Sequence, residues 1–152
     1  KPAKKSFWGY GGVVAAPDGA LWKVASSSKK ETGAPARQID DIVLLIGATD
    51  VAASKKFYVD HGLTVAKSFG RKYVEFAGGA DAITLALYGR KAAAKDAGVD
   101  PAGSGAHRLE ITSDAGAFTD PDGFVWQVHA DVAGCHIDQP GRRLFYRCGP
   151  SA

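Results

Sequence analysis

By side-chain type, the residues best suited to metal ligation or nucleophilic attack are Cys135, His136 and Cys148, all near the C-terminal end. Two thiols and one imidazole fall short of the four ligands of a structural zinc site and of a disulfide framework. They read as reduced, incidental thiols. Gly9-x-Gly11-Gly12 has the glycine density of a phosphate loop but lacks the strand-to-helix setting that such a loop needs. No serine sits in a nucleophile elbow, and His136 is the sole base beside either thiol. Acid/base work by paired carboxylates would require Asp41 or Glu75 to meet a second carboxylate, and nothing in the sequence places one there. Tyr73, Phe76 and Tyr88 sit in strand-like segments, where aromatic rings either line a cavity or pack in a core.

These residues are carried by a sequence with clear punctuation. Asp41–Ile46 is a short, branched apolar run and reads as a buried strand. Thr49 or Asp50 offers an N-cap, and a helix should run to about His61, stopped by Gly62 at C′. Ala53, Phe57, Tyr58 and His61 would share its buried face, with Lys56 and Asp60 paired outside. Strands follow at Leu63–Phe69, Lys72–Ala77 and Ile83–Tyr88, then a short helix over Arg90–Ala97 ended by Gly98. His107–Thr112 reads as a further strand.

A repeat organises the whole. Pro17-Asp18-Gly19-Ala20-Leu21-Trp22-Lys23-Val24 and Pro121-Asp122-Gly123-Phe124-Val125-Trp126-Gln127-Val128 share the pattern P-D-G-x-x-W-x-V. Pro pre-sets φ, Asp bonds nearby backbone and Gly accepts positive φ, so each copy is a β-hairpin turn followed by a strand. The arms should lie near 8–15 and 20–25, and again near 117–119 and 123–129. Trp22 and Trp126 read as core anchors, whereas Trp126 is also a candidate wall of a ligand pocket together with Tyr73, Phe76 and Tyr88. A spacing of 104 residues is domain-sized, which suggests a tandem protein, with a rearranged single domain as the alternative. The expected division is an orphan closing hairpin (1–26), a polar linker (27–38), a domain (39–130) and a tail (131–152).

The formal charge of +3 is too small for a nucleic-acid footprint, and its local excess near the first strands and in the tail forms no continuous basic stripe with stacking aromatics. No apolar run approaches the roughly 20 residues that cross a bilayer, so neither nucleic acid nor membrane is an expected partner. No signal-peptide hydrophobic segment follows the basic start, and a cytoplasmic location is the expectation. The absence of methionine suggests that residue 1 is not the start of the gene.

Asp50-Val51-Ala52-Ala53-Ser54-Lys55-Lys56-Phe57-Tyr58-Val59-Asp60-His61-Gly62-Leu63 resembles the helix signature of the glyoxalase/bleomycin-resistance/dioxygenase (vicinal oxygen chelate) superfamily. Asp120-Pro121-Asp122-Gly123-Phe124-Val125-Trp126-Gln127 resembles its closing hairpin. The resemblance spans residues 39–129 and implies an α+β fold, in which βαβββ modules form a cupped, mostly antiparallel sheet around a cavity. Ser113-Asp114-Ala115-Gly116 leads almost straight into the second hairpin, so the second module is abbreviated and lacks its helix. An unpaired edge of that kind would favour a homodimer.

The resemblance also implies where a divalent ion would sit. Asp41, His107 and Gln127 match three of the four ligand positions, and the fourth falls near Ala86, which cannot ligate. Zinc, iron, manganese or nickel would be the candidate ions, since this mixed donor set selects among them poorly. A depleted ligand set on this scaffold points first to a non-catalytic or weakly catalytic small-molecule binding protein with no cofactor. The rival is a metal-dependent isomerase, lyase or dioxygenase in which the ion acts as a Lewis acid. A non-binding scaffold half of a tandem protein is the third reading.

Overall fold

The computed structural model describes residues 1–6, 9–26, 28, 38–78, 83–103, 109–128 and 145–146. In order these form β1 (Lys4–Ser6), β2 (Gly9–Ala15), β3 (Leu21–Ser26), β4 (Val43–Ala48), α1 (Val51–Asp60), β5 (Val65–Phe69), β6 (Tyr73–Phe76), β7 (Thr84–Gly89), α2 (Arg90–Ala97), β8 (Glu110–Ser113), β9 (Phe118–Thr119), β10 (Val125–Val128) and β11 (Phe145–Tyr146). The chain is α+β, with two helices among the described residues and mixed sheets in which antiparallel pairings outnumber parallel ones.

Local chemistry sets the helix ends. Asp50 caps α1, its carboxylate accepting the amides of Ala52 at 2.9 Å and Ala53 at 3.2 Å, and these bonds hold its pKa below the usual range. At the other end the Gly62 amide donates to Val59 O and the Leu63 amide to Tyr58 O, the paired bonds of a Schellman turn. Gly62 makes this turn with φ of +89°, in the left-handed region that a Cβ penalises. Lys56 and Asp60 pair on the exposed side as their i,i+4 spacing dictates.

The central sheet has the order β4-β7-β6-β5, with β4 parallel to β7 and the other pairs antiparallel. Leu44, Ile46, Val74, Phe76, Leu85 and Leu87 alternate onto the face that receives α1, whose Tyr58 is fully buried there. The buried helix positions are Val51, Ser54 and Tyr58, while Ala53, expected inside, is exposed. Ser54 takes the inner place because its hydroxyl has an acceptor waiting: Asp122, at 3.1 Å.

A second sheet, β11-β8-β10-β9, repeats part of this pairing, with β8 parallel to β10 and β10 antiparallel to β9. It contributes Ile111 and Trp126 to the same core. A third sheet, β1-β2-β3, stands against α2 through Lys1 and Lys23. Lys1 Nζ donates to the carbonyls of Lys95 and Asp96, and Lys23 pairs with the Asp96 carboxylate at 3.2 Å.

The two P-D-G turns share one backbone shape. Ala16 N donates to Ala20 O and Gly19 N to Ala16 O; Asp120 N donates to Phe124 O and Gly123 N to Asp120 O. The side chains above them differ. Trp126 is 2% exposed, stacked on Phe118 and beside Tyr58, whereas Trp22 is 55% exposed. The core-anchor reading therefore holds for Trp126 and fails for Trp22. An identical turn delivers both rings, but α1 covers only one of them.

Candidate functional site

The face of the central sheet opposite α1 collects the polar and aromatic side chains. Alternation along each strand sends Val43 and Leu45, then Thr84, Ala86 and Tyr88, then Tyr73 and Glu75, then Lys67 and Phe69, to that side. The register makes them neighbours: Val43 faces Thr84, Leu45 faces Ala86, Glu75 faces Ala86 and Lys67, and Tyr73 faces Tyr88 and Phe69. Val43 and Leu45 are each 41% exposed and Phe69 is 50% exposed, which leaves apolar surface on both flanks of the face.

A hydrogen-bonded centre joins these residues. Glu75 accepts from Lys67 Nζ at 2.7 Å through one carboxylate oxygen and from the Tyr73 hydroxyl at 3.0 Å through the other. The Tyr73 and Tyr88 rings meet edge to face at 6.4 Å, and Phe69 lies 6.0 Å from Tyr73. Asp41, just ahead of β4, accepts from Thr84 Oγ1 at 3.5 Å on the same side. Burial pushes the Tyr73 phenol well above the ordinary tyrosine pKa, with the Glu75 hydrogen bond and the negative charges of Glu75 and Asp41 adding to it. The Glu75 hydrogen bond and charge also hold the Lys67 ammonium protonated above its ordinary range.

Each oxygen of Glu75 accepts one hydrogen bond and keeps a second acceptor site. The face thus offers an ion pair, two phenols and flanking apolar surface.

Asp41 therefore lies on this face, while Gln127 lies exposed on β10 of the second sheet and His107 lies outside the described residues. Among the described residues no three His, Cys, Asp or Glu side chains gather as a metal-binding group. Of the four aromatic residues expected in a pocket, Tyr73 and Tyr88 occupy this face. Phe76 and Trp126 are placed differently: both sit in the core on the α1 side, 1% and 2% exposed. Strand parity explains Phe76, since Tyr73 and Phe76 differ by three positions and so point oppositely. Cys135, His136 and Cys148 lie outside the described residues.

Lys67 escaped the sequence reading. The signal was the tight turn at Gly70-Arg71, which sets Lys67 across from Glu75 once the β5–β6 register is drawn. Asp122 looked like a turn residue only; its partners come from segments far away in sequence.

The two perturbed phenols give a direct test. Tyr58 is also pushed far up, by burial first and then by its hydrogen bond to Asp120. A phenol whose pKa is raised by folding contributes stability below the ordinary tyrosine pKa, and that contribution is lost as pH rises beyond it. In an ultraviolet titration, Tyr58 and Tyr73 should stay protonated past about pH 10 until the protein unfolds. Tyr58→Phe and Tyr73→Phe should leave the early-ionising amplitude unchanged; a reduced early amplitude in either would refute the burial of that phenol.

Searches of protein-family models, curated proteins and solved structures found no match to this chain.

Proposed function

We propose that the protein binds a small, partly aromatic molecule on the sheet face opposite α1, in the manner of the non-catalytic glyoxalase/bleomycin-resistance proteins. The observation that carries this reading is the Lys67–Glu75–Tyr73 network, set beside Tyr88 and flanked by exposed Val43, Leu45 and Phe69. Further support comes from the element order between Val43 and Gly89, β-α-β-β-β, with the first strand parallel to the last. The β8, β9 and β10 pairing repeats this with no helix between, as an abbreviated second module would. Closure of such a face by a second copy of the chain is part of the proposal.

Uptake of a neutral aromatic probe such as Nile red by metal-free protein tests it. Saturable binding is expected, weakened about tenfold or more by Leu45→Glu combined with Tyr88→Ala. Equal uptake by wild type and double variant would move the ligand off this face and end the reading.

A metal-dependent enzyme is the second reading, favoured by the presence of the Asp41 carboxylate at this face. It assigns Asp41, His107 and Gln127 as ligands for zinc, iron, manganese or nickel. Elemental mass spectrometry decides it: a near-stoichiometric ion, lost in His107→Ala, would establish the metal and displace the binding-only reading.

A further inference from the structure

A cleft of about 790 Å³ opens where the parallel strands β4 and β7 end and α2 begins. Its wall carries four cationic residues, Arg71 and Lys72 from the β5–β6 turn and Arg90 and Lys91 from the first turn of α2, and no acidic residue. Arg90 is the one with a fixed partner: its Nη2 donates to Asp122 at 3.1 Å and its Nε to Gly47 O at 3.3 Å. Arg71, Lys72 and Lys91 form no side-chain hydrogen bond or close ion pair with other described residues, although the Arg71 charge reaches Asp50 and helps to hold its carboxyl low. The Gly89 amide is held by Lys72 O at 3.2 Å, which ties the basic turn to the start of the helix.

The charge arrangement runs against the helix. The N-terminal end of a helix carries partial positive charge and favours acidic side chains. α2 has no acidic residue in its first turn, no side-chain cap on Gly89, and two cations there instead. Two more cations face them from the neighbouring turn. Such a concentration of positive charge around a concave site favours a bound anion. Arginine fits the planar, multiple hydrogen bonding that phosphate oxygens offer.

We propose that this cleft binds a small molecule through a phosphate group, at a site separate from the Lys67–Glu75 centre. The phosphate contacts Arg71, Lys72 and Lys91, and the remaining volume, bordered by Tyr88 and Pro101, holds the organic part. The inference goes beyond the binding reading above: the two sites share Tyr88 as a border, but the phosphate contacts lie on residues outside the Lys67–Glu75 centre.

The test is a titration of the whole chain with inorganic phosphate and, separately, with phenyl phosphate at constant ionic strength, followed by amide NMR and calorimetry. One-site binding should shift the amides of Arg90, Lys91 and Ala92. Arg71→Ala combined with Lys91→Ala should weaken it about tenfold or more. Lys55→Ala combined with Lys56→Ala, cations on α1, should leave it unchanged. Tighter binding of the ester identifies a phosphorylated small molecule as the ligand; equal binding identifies free phosphate and overturns the organic half of the proposal. Absence of saturable binding, or equal weakening by both double variants, would overturn the site itself. Since neither double variant touches Leu45, Glu75 or the shared Tyr88, failure here leaves the Nile red experiment interpretable.

Discussion

Trp126→Ala is expected to cost about 3–5 kcal/mol of stability, while Trp22→Ala, at the same place in the same motif, is expected to cost less than about 1 kcal/mol. The sequence context barely distinguishes them. What distinguishes them is the ceiling: Trp126 lies between Phe118, stacked at 5.1 Å, and Tyr58 at 5.4 Å, so truncation leaves a cavity beneath α1. Trp22 stands on β3, whose residues are all exposed, and its cross-strand neighbour Val14 is itself 57% exposed. Urea denaturation of the two variants reads the difference directly. Comparable losses would mean that the β3 face is covered in solution.

The second large effect falls on Asp122. Its carboxylate accepts from the Thr49 amide at 2.8 Å, from Ser54 Oγ at 3.1 Å and from Arg90 Nη2 at 3.1 Å, joining the second hairpin to the start of α1 and to α2. Ser54 is buried, so Asp122→Ala strands its hydroxyl away from water and leaves the guanidinium unpaired. Breaking a fully buried ion pair costs about 3–5 kcal/mol. The Arg90 side chain is 38% exposed and the Asp122 side chain 3%, so solvent screening reduces the expectation to about 2–4 kcal/mol. Asp122→Asn keeps an acceptor for Thr49 and should lose about half as much, on the modest net value of single hydrogen bonds. Asp18→Ala, in the first turn, should cost no more than about 1 kcal/mol, since Asp18 bonds the local Ala20 amide at an exposed site. Chemical denaturation of all three ranks them; an Asp122→Ala variant as stable as Asp18→Ala would show that the clasp carries no net stability.

Much of the fold was legible because its signals are local. The α1 cap, the Gly62 stop and the Gly98 stop depend on one or two residues and their immediate backbone; both stops are where the sequence placed them, and of the two cap candidates, Thr49 and Asp50, the structure selects Asp50. Strand positions followed from alternation. The first strand of the central sheet starts two residues later than expected, at Val43, where its register with β7 begins, although the Ile42 carbonyl already accepts from the Thr84 amide at 3.0 Å. The tail gave no periodic signal, and the short strand Phe145–Tyr146 owes its existence to the edge of β8, not to any pattern of its own.

The candidate site was half legible for the same reason. Parity assigns Tyr73 and Glu75 to one face and Phe76 to the other without further information. Which face is sealed and which is open depends on where α1 lands, and that is a matter of packing. The sequence by itself thus determined the helix ends, the two P-D-G turns and the alternation that separates Tyr73 from Val74. Only the tertiary structure decided that Lys67 meets Glu75, that Asp122 clasps residues 68 and 73 positions away, and that one repeated tryptophan is core while its twin is surface. The physical reason is range: caps, turns and strand parity are settled by backbone geometry within a few residues, whereas burial and ion pairing are settled by whichever distant segment comes to lie opposite.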